Sequence, residues 1–162
     1  MNQEYKVIIE KVKAEKDAVK RTFAKMKKKK SKEIDQLFHS KHEAFFQKNN
    51  CLDCANCCKT TSPIFRDVDI KRIAKQLKTK EAQFIDQYLR MDEDRDYVLK
   101  SSPCSFLNED NTCGIYEFRP LACAEYPHTN RKNMNQILDL TLKNAEICPA
   151  VATIVTKLIL ED

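Results

Sequence analysis

Glycine is almost missing from this sequence: Gly114 is the single glycine among 162 residues, where average usage is about 7%. This scarcity excludes the glycine-rich loops that hold phosphates in dinucleotide- and mononucleotide-binding proteins. It also argues against an all-β fold with many tight turns. No proline precedes Pro63, so the first part of the chain lacks strong helix breakers. Helix is therefore the default expectation.

Long apolar stretches are also lacking, and the uncharged runs are far shorter than the roughly 20 residues that a membrane span needs. The N-terminus is positively charged, but further charges interrupt any apolar core of an export signal, at Glu4, Lys6, Glu10 and Lys11. We therefore expect a cytoplasmic protein without a membrane partner. Thiols stay reduced in that compartment, so the eight cysteines are not expected to form a disulfide framework.

The net charge of +5 is concentrated in the N-terminal segment. Residues 1–50 hold 14 Lys or Arg against 7 Asp or Glu, whereas the remainder is slightly acidic. Apolar residues recur there at seven-residue spacing, at Tyr5, Val12, Val19 and Met26, and a second apolar seam follows in a shifted phase. We predict one long or bent helix, a basic helical arm. The alternative is two antiparallel helices with a turn near Lys30.

Four consecutive lysines at residues 27–30 raise the alternative that this arm binds nucleic acid. No aromatic residues interleave with them as stacking platforms would. A solvated helix face is the better interpretation, and nucleic acid is not the partner that we expect.

Shorter elements are predicted further along the chain. One helix is expected around Ile70 and Ile73, and a second, following a capping threonine, is expected to run through Leu89. Residues 97–99 form a candidate short strand. The last helix is predicted to have Pro149 in its first turn, a position that tolerates proline well.

Cysteines are the most concentrated chemical feature, and four of them fall within residues 51–58, which read CLDCANCC. Thiolates select soft cations such as zinc, or iron in a sulfide cluster. Adjacent Cys57 and Cys58 are not expected to face one ion comfortably from an extended backbone. The candidate metal ligands are all eight cysteines: Cys51, Cys54, Cys57, Cys58, Cys104, Cys113, Cys123 and Cys148.

The spacing leaves the number and kind of metal centres open. Zinc sites commonly combine a Cys-x2-Cys pair with a second pair, so eight cysteines allow two four-thiolate sites or one site with spare thiols. The first three cysteines also match the Cys-x2-Cys-x2-Cys run of bacterial ferredoxins. The ferredoxin continuation is missing, because Cys58 follows at once. His128, near Cys123, is a further candidate ligand or proton shuttle.

A second motif region surrounds the later cysteines. The polar turn between Phe106 and Gly114 fits a zinc-knuckle turn, in which the glycine would relieve a tight backbone. Arg119 precedes Cys123 and is expected either to offset thiolate charge or to pair with a residue such as Glu117.

Three segments together resemble the YkgJ-type cysteine-cluster family, a zinc- or iron-chelating domain with a CxxCxxCC pattern. They are the CLDCANCC run, CSFL at residues 104–107 and CGIYEFRPLAC at residues 113–123, and Cys148-Pro149 fits the family's C-terminal cysteine. The resemblance covers residues 50–150, and it implies metal chelation by these cysteines. Some relatives are similar to flagellin lysine methylases, which raises an enzyme alternative that nothing in this sequence shows independently.

Together these features predict a mainly α-helical fold: a small cysteine-rich metal-binding domain at residues 51–162, with short irregular or β segments, after a basic arm at residues 1–50. The predicted function is binding of zinc or iron, including iron in an iron–sulfur cluster. The alternatives are a redox or methyl-transferring enzyme with an iron–sulfur centre and a nucleic-acid-binding protein that uses the arm.

Overall fold

The computed structural model describes Met1 and residues 3–161, and the chain within that range is mainly helical, as predicted. The helices are α1 (Gln3–Ala14), α2 (Lys16–Met26), α3 (Ser31–Phe46), α4 (Asn56–Thr60), α5 (Asp67–Gln76), α6 (Glu81–Tyr88), α7 (Leu121–Glu125), α8 (Leu138–Ala145) and α9 (Pro149–Leu160). The strands are β1 (Leu89–Met91) and β2 (Tyr97–Leu99).

The chain forms two compact units. Unit 1 runs from the N-terminus to Cys54 and again from Pro127 to the C-terminus, and unit 2 is Ala55–Tyr126. The first fifty residues thus share a unit with the last two helices. A functional division between residues 1–50 and residues 51–162 stays a prediction.

None of the helices within the described range combines the length and apolar character of a membrane span.

Unit 1 is organised around α9, which packs against α1, α2, α3 and α8. This helix begins at Pro149, as predicted, and its apolar residues Val151, Ile154 and Val155 are fully buried. Each such side chain contributes about 1.5–3 kcal/mol on burial. Phe23 of α2 and Phe38 of α3 join the same core, with ring centroids 6.4 Å apart.

The predicted single N-terminal helix is wrong, because this segment forms three helices. The first break lies at Glu15, and residues 27–30 lie between α2 and α3 rather than on a helix face. Buried Met26 and Ile34 flank that turn, so the shifted apolar phase marks a change of direction. A continuous helix would carry the second seam away from the core. The alternative with a turn near Lys30 is therefore the one that describes α2 and α3.

Unit 2 has an apolar core of its own. Phe84 is completely buried, and its ring lies almost parallel to that of Phe106, with centroids 6.3 Å apart and an interplanar angle of 12°. The helix predicted around Ile70 and Ile73 is confirmed as α5, and the strand at residues 97–99 as β2. We expected the helix to run through Leu89, and this is wrong. Leu89 instead begins β1, where it pairs with Leu99 in an antiparallel ladder.

Candidate metal centre

The cysteine run changes direction at Ala55. This residue has φ 47° and ψ 26°, the left-handed conformation that non-glycine residues seldom adopt. The division between the two units falls at the same place. Cys51 and Cys54 therefore belong to unit 1, and Cys57 and Cys58 belong to unit 2. The boundary between the units thus falls within the CLDCANCC run, with two of its cysteines on each side.

In unit 2, hydrogen bonds hold the segment before Cys104 against α4. The backbone N–H of Cys104 donates to the carbonyl of Cys58 at 2.8 Å. Two residues earlier, the Ser102 hydroxyl donates to the carbonyl of Lys59, also at 2.8 Å. These bonds bring the first cysteine of the second motif region beside the last cysteine of the run.

A short hairpin then carries the chain from Cys104 to Cys113. Leu107 and Cys113 form an isolated antiparallel bridge, and the Gly114 N–H donates to the Phe106 carbonyl at 2.8 Å. The Phe106 N–H also donates to the Cys104 sulfur at 3.5 Å. Backbone donors of this kind stabilise thiolate charge, so the predicted knuckle-like turn has the donors that a thiolate ligand requires.

The expected role of Gly114 in this turn is wrong. Its φ does not lie in the positive region that favours glycine. A Cβ atom there would meet the Phe106 carbonyl oxygen at 3.6 Å and Asn108 Oδ1 at 3.8 Å, which are ordinary van der Waals contacts. The turn therefore does not depend on this glycine.

Cys123 lies on α7 and completes the group of thiols in unit 2. Burial, followed by the negative charges of Cys58, Cys104 and Cys113, raises the pKa of its thiol to about 12. Charges act on one another in this way only over short distances, so the four cysteines share one region of the unit. We call Cys58, Cys104, Cys113 and Cys123 the unit 2 thiol group.

Arg119 supplies positive charge to this group. Burial raises the pKa values of the Cys113 and Cys123 thiols, and the positive charge of Arg119 partly offsets that rise. The guanidinium carbon lies 3.8 Å from the centroid of the Tyr116 ring, and Nη1 donates to the Tyr116 carbonyl at 2.6 Å. Tyr116 therefore holds a cation near the thiols, and the charge-offsetting role of Arg119 stays a prediction beside its pairing with Glu117.

Cys57 and Cys58 lie on a helical turn and not on an extended backbone, so the premise of our expectation about them is wrong. Their sulfur atoms are 4.0 Å apart. The sulfurs of a tetrahedral zinc site with 2.3 Å bonds are separated by about 3.8 Å, so adjacency does not prevent both from facing one ion. A hydrogen bond from Cys57, opposed by burial and assisted by Lys59, lowers the pKa of the Cys58 thiol to about 7.

The remaining three cysteines lie in unit 1. Cys51 begins a 3-10 turn and Cys54 directly follows it, and Cys148 immediately precedes α9. Burial raises the pKa of the Cys148 thiol to about 11, and the charges of Cys51 and Cys54 act in the same direction. The first amide groups of α9, at Val151 and Ala150, act in the opposite direction. We call these three cysteines the unit 1 thiol group.

His128 is half-buried and belongs to unit 1. Its role as a ligand or proton shuttle stays a prediction.

The thiol groups suit a soft metal ion because their donors are sulfur atoms. Their side chains are not already arranged as a metal site. Within the described part of the chain, no three His, Cys, Asp or Glu side chains already form a group that could hold a metal ion. Sulfur donors nevertheless select zinc or iron. Burial and the charges of neighbouring cysteines raise the pKa values of four of these thiols, and a bound cation would offset both effects; the four are Cys104, Cys113, Cys123 and Cys148.

Comparison with known families agrees with this donor set. The model of the CxxCxxCC family, described as a putative zinc- or iron-chelating domain, matches residues 50–149. The chain belongs to the CxxCxxCC family. The matched range contains all eight cysteines, which confirms the predicted resemblance and supports metal binding. No curated protein and no solved structure matches the chain.

One residue that the cysteine motifs do not predict lies beside the CGIYEFRPLAC segment. Asp69 is a fully buried aspartate on α5, and it accepts a hydrogen bond from the backbone N–H of Leu121. A signal was present: Arg66 and Arg72 lie three residues to either side of it, and Asp69 immediately precedes the buried Ile70. An acidic residue on an apolar helix face between two arginines indicates a buried ion pair.

Proposed function

We propose that the protein binds zinc or iron at two separate groups of cysteine thiolates. The main centre is the unit 2 thiol group, which provides four ligands: Cys58, Cys104, Cys113 and Cys123. The unit 1 thiol group provides three further ligands: Cys51, Cys54 and Cys148. Cys57 is proposed as a hydrogen-bond donor to Cys58 or as an additional ligand.

One observation carries this proposal: four half-buried thiols interact with one another inside a single compact unit. Burial and three neighbouring thiolates raise the pKa of Cys123 to about 12, so the ionised group is unfavourable without a cation. A divalent ion reverses that balance, because coordinating thiols are deprotonated by the metal. The positive charge of Arg119 and the backbone N–H that donates to the Cys104 sulfur also favour the ionised thiolates.

The two groups differ in what they offer a metal. Four thiolates complete a tetrahedral site, and closed sites of this kind are structural. Three thiolates leave one coordination position for another donor. We therefore assign the unit 2 thiol group a structural role, which stabilises a unit whose cysteines lie on a short helix and a small hairpin. Zinc and iron both suit these ligands.

Anaerobic purification followed by an absorption spectrum, elemental analysis and native mass spectrometry tests the proposal. Zinc at the four-thiolate centre gives a colourless protein with stoichiometric metal. An iron–sulfur cluster gives a brown protein with labile sulfide. A folded protein that takes up neither metal after anaerobic reconstitution would refute metal binding altogether.

Serine variants separate the two groups. Replacing Cys104 and Cys113 should remove the metal bound in unit 2 and leave that in unit 1. Replacing Cys51 and Cys148 should have the opposite effect. The Cys57→Ser variant tests the part that Cys57 has: both groups stay complete, so metal binding in unit 2 should be retained if Cys57 only donates to Cys58 and weakened if Cys57 is an additional ligand. Loss of all metal from both double variants would instead indicate one shared centre.

A further inference from the structure

Asp69 is a buried carboxylate with an unusually full set of donors. It lies on α5 in unit 2, and its side chain has no exposed surface. Oδ2 accepts from Arg66, at 3.0 Å from Nε and 3.2 Å from the backbone nitrogen. Oδ1 accepts from Arg72 Nη2 at 2.7 Å. A buried charge is retained only when it is paired and hydrogen-bonded in this manner.

The same two side chains hold the backbone that leads to Cys123. Asp69 Oδ1 also accepts from the Leu121 N–H at 3.2 Å. Arg72 donates from Nη2 to the Arg119 carbonyl at 2.8 Å and from Nε to the Phe118 carbonyl at 3.4 Å. Three backbone groups within four residues are thus bound to α5, and the last of them lies two residues before Cys123.

Local structure fixes the direction of this segment only in part. Phe118 packs against the unit 2 core, and Pro120 is buried. Beyond them, α7 comprises five residues, too few for a helix to be stable by itself, and Leu121 at its start is 37% exposed. The hydrogen bonds with Asp69 and Arg72 therefore add constraints on the backbone that enters α7.

We propose that Asp69 and Arg72 are positioning residues that direct the Cys123 sulfur toward Cys58, Cys104 and Cys113. They are not ligands; they act through the backbone of the segment that carries one. The inference rests on the proposed four-thiolate centre and adds that its fourth ligand is held in place from α5. Partners that orient a ligand typically change metal affinity about 10–100-fold when they are removed.

Cobalt substitution tests the inference, because thiolate-to-cobalt charge-transfer absorption grows with the number of thiolates bound. The variants are Asp69→Asn and Arg72→Gln in the full chain carrying Cys51→Ser and Cys148→Ser, so that Co²⁺ reports on unit 2 alone. Their matched controls are Asp67→Asn and Lys71→Gln, exposed charges on the same helix. We expect both test variants to bind Co²⁺ about 10–100-fold more weakly than the controls. Their charge-transfer absorption should fall by about one quarter, the share of one thiolate in four.

A second readout locates the change. With Co²⁺ bound, Cys123 should be alkylated faster in the Asp69→Asn and Arg72→Gln variants than in the controls, whereas Cys104 and Cys113 stay protected. A merely structural role would expose all the thiols together. If Asp69→Asn does not fold, the Arg72→Gln variant alone tests the positioning role. It should fold, because the Arg72 side chain is 41% exposed and its loss leaves Asp69 paired with Arg66.

The results distinguish the inference from the proposed function. If the background protein binds no Co²⁺ in unit 2, the four-thiolate centre itself is refuted. If that protein binds Co²⁺ through four thiolates and the test variants match their controls in affinity, spectrum and alkylation, the positioning role is refuted while the centre stands.

Discussion

Replacing Asp69 with asparagine should destabilise unit 2 strongly at neutral pH. The carboxylate is fully buried and accepts four hydrogen bonds, two of them from arginine side chains. Removing one partner of a buried ion pair costs about 3–5 kcal/mol. The Arg66 and Arg72 side chains are 51% and 41% exposed, so water can solvate them once the charge is gone. We therefore expect about 3 kcal/mol, the lower end of that range.

The effect should disappear in acid. Burial raises the pKa of the Asp69 carboxyl, but hydrogen bonds from Arg66, Arg72 and Leu121 outweigh it, so the pKa lies below its usual range. The contribution of Asp69 to stability is thus fully present above the unfolded-state pKa of about 3.9. It is lost as the pH falls through the lower pKa of the folded state. The stabilities of wild type and Asp69→Asn should therefore begin to converge below about pH 4 and meet below the folded-state pKa of Asp69.

Urea unfolding of the metal-free full-length chain, followed by circular dichroism from pH 7 to pH 2, measures this difference. With m values of about 1–3 kcal/mol/M, the unfolding midpoint at pH 7 should drop by roughly 1–3 M. Hydrogen exchange at the Leu121 amide gives a local readout of the same bond. Asp67→Asn is the control, since Asp67 is an exposed carboxylate on the same helix. A variant as stable as this control, or a difference that persists unchanged to pH 2, would refute the reasoning.

Three further predictions concern single residues. Gly114→Ala should change the free energy of unfolding by less than about 1 kcal/mol, because its Cβ would have ordinary contacts; a larger loss in urea unfolding would show that the turn needs glycine. Ala55→Gly should stabilise by up to about 1 kcal/mol, because it relieves a left-handed alanine, and a lower midpoint would contradict that account. Phe84→Ala should cost about 3–5 kcal/mol, because it empties the centre of the unit 2 core. A cost below about 1 kcal/mol would show that the core around Phe106 had collapsed into the space.

The sequence predicted local structure best where one strong signal dominated. Pro149 followed by an apolar helix pattern correctly predicted α9, and the apolar face at Ile70 and Ile73 correctly predicted α5. It failed at residues 27–30, where no proline or glycine marks the turn between α2 and α3. The shifted apolar phase allowed a turn there as an alternative, and packing decided for it, because the apolar seams on either side must both reach the core that α9 provides.

For the candidate site, the sequence by itself determined the chemistry: eight thiols, few histidines, and motifs that place the chain in the CxxCxxCC family. Tertiary structure alone decided how those thiols are grouped. The boundary between the two units falls beside the left-handed Ala55, with two cysteines of the run in each unit, and within unit 2 the hairpin and α7 bring Cys104, Cys113 and Cys123 to Cys58. Spacing along the chain cannot reveal such grouping, since ligands distant in sequence meet only after helices and turns have packed. The role of Asp69 and Arg72 is likewise decided by tertiary structure. Their hydrogen bonds to the backbone of residues 118–121 form only in the folded unit.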